Sequence, residues 1–141
     1  MPLSKIPATA MRRALCELLY PAIYCDPAEE LYTLRPIEYA KGIWMDKTAC
    51  EAFVNHVHLQ DYIFCDNTTA YREAVFAVAE SWVNRLQESY QGKQFVLYLT
   101  TENTKWNKKS NPILRFCLVR KDEAPYIPEE PNGKTLWKWE T

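Results

Sequence analysis

The hydrophobic pattern of this chain changes its period once, near residue 90, and that change constrains the fold more than any other feature. Before it, apolar residues recur at helical spacing over about 69–90, a span of roughly six turns at about 3.6 residues per turn. The apolar stripe consists of Tyr71, Ala74, Val75, Val78, Trp82 and Leu86. Candidate N-cap residues precede it at 66–69, and Gly92 follows it, as is typical of a helix end. The sequence therefore predicts one long amphipathic helix.

The residues that follow have the shorter patterns of β-strands. Residues 95–99 form a continuous apolar run, typical of a strand covered on both faces, and residues 113–119 form a second strand. In a third strand, over about 134–139, alternation places Trp137 and Trp139 on one face. Helices followed by strands indicate an α+β domain. The simplest arrangement packs the N-terminal helices on a C-terminal antiparallel three-stranded meander, with residues 1–141 forming a single globular domain.

Three shorter helices are predicted before the long one. The first covers about 8–20 and ends at Pro21. The second starts at the Asp26-Pro27 signal and continues to about residue 34. The third covers about 47–58, begins at the N-cap Asp46, and has one apolar stripe. That stripe consists of Cys50, Phe53, Val54 and Val57.

Glycine and cysteine usage exclude several classes of site. The three glycines lie too far apart for a Walker A loop or a dinucleotide-binding fingerprint. The five cysteines are odd in number and include no Cys-x-x-Cys pair, which argues against a zinc ribbon or a redox dithiol. Free, buried thiols and a reducing cytoplasm are expected, with Cys16, Cys50 and Cys117 on apolar faces. No apolar run is long enough for a membrane span, so we expect a soluble protein without a cofactor.

The two histidines, His56 and His58, are the most suggestive chemical pair. On a helix through residue 58 their rings would point about 200° apart and could not share a metal ion. The preferred interpretation is a helix end, where a partly positive imidazole is favoured, and no metal. A nucleophilic pair of His56 with Cys65 or Cys25 has no supporting motif. We therefore nominate no catalytic residue, and an enzyme is the less favoured class.

Charge is concentrated in one segment. Residues 93–121 carry seven basic side chains against one acidic side chain, although the whole chain has a net charge of −1. The eleven-residue connection 102–112 is longer than a hairpin needs. It contains Lys105, Trp106, Lys108 and Lys109. Because a loop tip has little core to bury an indole, we predict that these residues bind a partner with an acidic surface. The alternative is that Trp106 folds back onto the sheet edge.

The remaining aromatic residues allow two interpretations. Trp137 and Trp139 either pack against the long helix or form a partner-binding surface. Aromatic residues make up 13% of the chain, which suits an interface. The favoured function is a monomeric protein-interaction module, for example an immunity or inhibitor protein that blocks a partner. The alternatives are a small α+β enzyme or ligand-binding domain, and nucleic-acid binding through the basic connection, which the acidic remainder of the chain disfavours.

Overall fold

The computed structural model describes residues 16–40, 46–128 and 135–141. Two α-helices lie wholly within these ranges, α1 (Lys47–Val54) and α2 (Thr68–Ser89). Its strands are β1 (Tyr24–Asp26), β2 (Leu31–Thr33), β3 (Val57–His58), β4 (Phe95–Thr101), β5 (Ile113–Leu118) and β6 (Thr135–Glu140). Residues 16–19 are helical, and the rest of the helix predicted over 8–20 lies outside the described residues. The α+β class is confirmed.

Helix α2 is the predicted long helix, displaced by one residue. The Asn67 side-chain oxygen accepts a hydrogen bond from the Ala70 N–H at 2.9 Å, so Asn67 is the N-cap among the predicted candidates. The apolar stripe faces the core, where Trp82 is only 2% exposed. The Trp82 indole N–H donates to the Leu18 carbonyl at 2.7 Å, which ties α2 to the N-terminal helical segment. Local periodicity and capping were sufficient to place this element.

The main sheet has four antiparallel strands in the order β3-β5-β4-β6. The predicted three-stranded meander is therefore wrong, because β6 pairs with β4, with Trp139 opposite Leu97, instead of following β5. The outer edge of β5 is already occupied by β3, where His58 lies opposite Ile113. Strand β6 instead lies on the side of β4 that faces away from β5.

On the sheet face opposite α2, the described segment 119–128 after β5 packs on the strands through Tyr126. Tyr126 and Leu136 pack against a small cluster of buried residues, Val96, Tyr98 and Cys117. The Tyr126 hydroxyl accepts a hydrogen bond from Arg115 at 2.9 Å. Strand β4 is consequently buried on both faces over residues 95–99, as its apolar run predicted.

A second sheet, formed by β1 and β2, replaces the helix predicted over residues 27–34. The predicted helix start at Asp26-Pro27 forms only a local turn, in which the Asp26 carboxylate accepts from the N–H groups of Ala28 and Glu29 at 3.2 and 3.3 Å. Glu30 then adopts a left-handed conformation, with φ at 49°, which a continuing helix does not allow. The chain reverses there and forms a hairpin.

Helix α1 connects the two sheets through a buried carboxylate. Glu51 is fully buried, and its oxygens accept from the N–H groups of Tyr32 on β2 and Leu118 on β5, each at 2.8 Å. The Arg120 guanidinium donates to both Glu51 oxygens at 2.7 and 2.8 Å. Burial raises the pKa of the Glu51 carboxyl, whereas these four bonds stabilise its ionised form.

Asn55 continues this connection beyond the end of α1. Its side-chain N–H₂ donates to the carbonyls of Tyr32 and Phe116 at 2.9 and 3.2 Å. Its side-chain oxygen accepts from the Leu34 N–H at 2.8 Å. The side chains of Glu51 and Asn55 thus form hydrogen bonds with backbone groups at the outer edge of β5. The two-residue strand β3 is too short to reach these groups.

The five cysteines are unpaired, and all of them lie in the described ranges. Cys50 and Cys117 are buried as expected, and burial raises the pKa of the Cys117 thiol to about 12. Cys16 is exposed, contrary to its predicted position on an apolar face. None of the described helices has the length and apolar character to cross a membrane.

Candidate functional site

The basic connection 102–112 is held by its own hydrogen bonds. The Glu102 N–H donates to the Ser110 carbonyl at 2.8 Å, which closes the base of the connection. The Asn107 side-chain oxygen accepts from the Lys109 N–H at 2.9 Å and caps a single 3-10 turn, Lys108–Ser110. Trp106 and Asn111 adopt left-handed backbone conformations, with φ of 51° and 45°. The connection is therefore folded, with defined inner and outer sides.

Trp106 lies on the inner side. It is only 9% exposed, and its ring centroid is 5.2 Å from that of Trp137 and 5.6 Å from that of Phe76. The Arg72 guanidinium carbon lies 5.5 Å from the Trp106 ring centroid. The expectation that the loop tip has little core to bury Trp106 is wrong, because α2 and β6 supply that core. Trp106 turns back onto the sheet, as the alternative proposed.

Trp137 and Trp139 are half-buried on the sheet face that meets α2. Their ring centroids lie 5.6 and 5.7 Å from that of Phe76, in edge-to-face arrangements. Both side chains pack against the main core. These contacts support core packing, so the three predicted tryptophans belong to one aromatic cluster with Phe76 and Arg72.

The three predicted lysines lie on the outer side of the connection. Lys105, Lys108 and Lys109 are exposed, and none forms an ion pair with another described residue. The structure therefore separates the cations from the indole that the sequence places among them. Their charge remains available to a partner.

Lys108 and Lys109 line an open cleft of about 1310 Å³. Its opposite wall is the connection 60–67, which contributes Asp61, Phe64 and Asp66. Phe64 is 40% exposed, whereas the adjacent Ile63 is buried. We call this feature the Phe64 cleft.

The 60–67 wall of this cleft was not predicted from the sequence. Its only signal is a pair of adjacent apolar residues, Ile63 and Phe64, in a segment without helical or strand period. Two such neighbours point in different directions, so one of them can remain exposed. No pattern in the sequence indicates which one.

Tyr71, in the first turns of α2, also lines the Phe64 cleft. Its hydroxyl is buried and has no hydrogen-bond partner among the described residues. Burial raises the pKa of Tyr71 to about 12, and the negative charge of Asp61 contributes to the rise. The hydroxyl therefore stays protonated and neutral at physiological pH.

The histidines lie outside helix α1, which ends at Val54, so the predicted helix over 47–58 is too long. His58 is part of β3 instead, and the two imidazole centroids are 5.3 Å apart. The expected divergence of the rings is wrong. Phe53, predicted on the apolar stripe, is 57% exposed. Within the described ranges, no three or more histidine, cysteine, aspartate or glutamate side chains are grouped as metal ligands.

Comparison with known proteins finds a match to a protein family. Residues 28–133 match the model of the Uncharacterized protein PM0498 family, which covers about three quarters of the chain. No curated protein and no solved structure matches at a significant level. The matched range includes α1, α2, β4, β5, both walls of the Phe64 cleft and the two histidines.

Proposed function

The chain belongs to the Uncharacterized protein PM0498 family, and we propose that it is a protein-binding module whose docking surface is the Phe64 cleft together with Lys105. The observation that carries this proposal is the combination, along one open cleft, of an exposed aromatic side chain with lysines that form no ion pair with the rest of the described chain. Aromatic anchors surrounded by polar groups are typical of binding surfaces.

The apolar part of the surface is Phe64. Fully burying a phenylalanine side chain stabilises a complex by about 1.5–3 kcal/mol, and Phe64 is already buried over more than half of its surface. Covering the exposed remainder would therefore contribute about 1 kcal/mol. That is enough to orient a partner and too little to bind it alone.

The charged part of the surface is asymmetric. Lys108 and Lys109 line one wall of the Phe64 cleft, and Asp61 and Asp66 line the other. A partner with acidic groups would contact the lysine wall and would be repelled by the aspartate wall. Such an arrangement fixes orientation and accelerates association more than it increases affinity.

The experiment compares the wild-type chain with variants that alter one property of the surface at a time. The double variant Lys108→Glu/Lys109→Glu reverses the charge of one wall, and Phe64→Ala removes the apolar anchor. Lys121→Glu is the matched control, because Lys121 is also exposed but follows the opposite end of β5. A stoichiometric partner is first purified with the wild-type chain from its native cell. Association and dissociation are then measured by surface plasmon resonance.

We expect the charge-reversed variant to associate more slowly and Phe64→Ala to dissociate faster, with Lys121→Glu close to wild type. Equal kinetics for all four proteins would remove the Phe64 cleft from the binding surface. Copurification that is abolished by ribonuclease would contradict the proposal and favour nucleic-acid binding. If the partner is an enzyme, inhibition by one equivalent of the module would support the finer hypothesis of an inhibitor or immunity protein.

A further inference from the structure

The only two histidines of the chain lie against each other at the surface. Their imidazole planes are inclined at 78°, with the centroids 5.3 Å apart. His56 follows the end of α1, and His58 belongs to β3, so elements of fixed position hold both side chains. Neither histidine is among the described residues that line the Phe64 cleft.

Hydrogen bonds determine which nitrogen carries the proton in each neutral ring. The Nδ1 atom of His56 contacts the Phe53 carbonyl oxygen, which can only accept. The Nδ1 atom of His58 lies 3.1 Å from the Asn111 side-chain oxygen. The Asn111 amide nitrogen donates to Glu102 at 3.4 Å, which orients the amide so that its oxygen faces the ring. Both Nδ1 atoms are therefore donors, and both Nε2 atoms keep a free lone pair.

We propose that His56 and His58 bind one divalent transition-metal ion through their Nε2 atoms. Zinc ligands at about 2.0–2.1 Å in tetrahedral geometry place two imidazole centroids roughly 5 Å apart, close to the separation found here. Imidazole is a preferred ligand of zinc, copper and nickel. Metal-bound histidines characteristically donate their other ring N–H to a carbonyl or carboxylate oxygen. His56 and His58 both donate to a carbonyl oxygen, that of the Phe53 backbone and that of the Asn111 side chain.

The chain supplies two ligands for this ion, since the described residues hold no group of three or more candidate metal ligands. Water or a group from another molecule completes the coordination. Structural zinc sites use four protein ligands, so this ion exchanges with solution and does not hold the fold together.

The hydrogen bonds that connect Glu102, Asn111 and His58 allow a test of the proposal without changing either histidine. Asn111 occupies a left-handed position that glycine adopts without strain, so Asn111→Gly removes the amide while keeping the backbone. Loss of such an outer partner typically weakens metal binding by about 10–100-fold. Asn103→Ala is the matched control, because it removes a side-chain amide from the same connection, and among the described residues that amide accepts only from the Lys105 N–H.

The measurement is a titration of the full chain with zinc chloride, followed by calorimetry and by the ¹⁵N resonances of the histidine rings. We expect one ion per chain and joint shifts of both Nε2 resonances while both Nδ1 atoms stay protonated. Observation of the rings separates this site from zinc bound by the exposed thiols of Cys16 and Cys25. His56→Gln or His58→Gln should weaken binding more than Asn111→Gly does, because each removes one of the two ligands, and Asn103→Ala should leave it unchanged.

Three results would overturn the assignment. They are ring resonances that do not move with millimolar zinc, a shift of only one histidine, and unchanged affinity in the His56→Gln/His58→Gln double variant. Unchanged affinity in Asn111→Gly, with binding lost in the histidine variants, would instead refute the orienting role of Asn111.

Discussion

Replacing Glu51 by glutamine should strongly destabilise the fold, although the two side chains have nearly the same size. The Glu51 carboxylate accepts four hydrogen bonds from donors on β2, β5 and Arg120. A glutamine oxygen can accept some of these bonds, but its N–H₂ group faces donors and accepts none. The substitution also leaves the guanidinium of Arg120 without its buried counter-ion.

The magnitude follows from these losses. Removing one partner of a buried ion pair costs about 3–5 kcal/mol. An unsatisfied buried N–H group costs about 1–3 kcal/mol. The two costs are not additive, because both result from the same lost carboxylate oxygen and the remaining amide oxygen still accepts some of the bonds. We therefore expect Glu51→Gln to lower the free energy of unfolding by about 3–5 kcal/mol. This is a large part of the roughly 5–15 kcal/mol that stabilises a typical domain.

Urea unfolding followed by tryptophan fluorescence measures this loss. The matched control is Glu29→Gln, which breaks the exposed ion pair with Lys47 at 3.1 Å and should cost less than about 1 kcal/mol. Arg120→Met combined with Glu51→Gln should cost less than the sum of the single changes, because the uncompensated charge is then absent. A loss below about 1 kcal/mol for Glu51→Gln alone would show that the network does not connect the two sheets energetically.

Two further predictions concern residues of α2. Trp82→Ala should lower the free energy of unfolding by about 3–5 kcal/mol, since the side chain is only 2% exposed, and a loss under about 1 kcal/mol in urea unfolding would contradict its packing. Tyr71→Phe should raise stability at neutral pH by about 1 kcal/mol, because it removes a buried hydroxyl without a partner among the described residues. Because the pKa of Tyr71 is raised from 10.0 to about 12, the unfolded chain loses this proton before the folded chain does, so wild-type stability should fall further as the pH rises from 10 to 12. Tyr71→Phe should therefore flatten the stability profile in that range, and an unchanged profile would refute this reasoning.

The sequence predicted well those elements whose determinants are local. The helical period of α2 lies in the helix itself, and the N-caps Asp46 and Asn67 directly precede the helices that they start. The continuous apolar run of β4 also predicted correctly that both faces of this strand are covered. In these cases neighbouring residues contain the physical cause of the structure.

The errors arise where distant residues decide the outcome. Asn55 bonds the backbones of two strands, and α1 ends beside it, although its apolar pattern continues to Val57. Glu51 and β3 occupy the outer edge of β5, so β6 finds its partner on the other side of the sheet at β4. Neither pairing has a signal in the local pattern. The divergence predicted for His56 and His58 was wrong for the same reason, since it assumed a longer helix.

In the basic connection 102–112, contacts with distant residues also change the interpretation of function. In the sequence, Trp106 and its neighbouring lysines form one motif, and a single role for all of them is natural. In the structure, Trp106 is buried against Trp137 and Phe76, whereas the lysines face outward. A Trp106→Ala variant would therefore lose stability and binding together, and its loss of binding would say nothing about the docking surface. Charge reversal of Lys108 and Lys109 changes only the outer side, so it tests binding without disturbing the core.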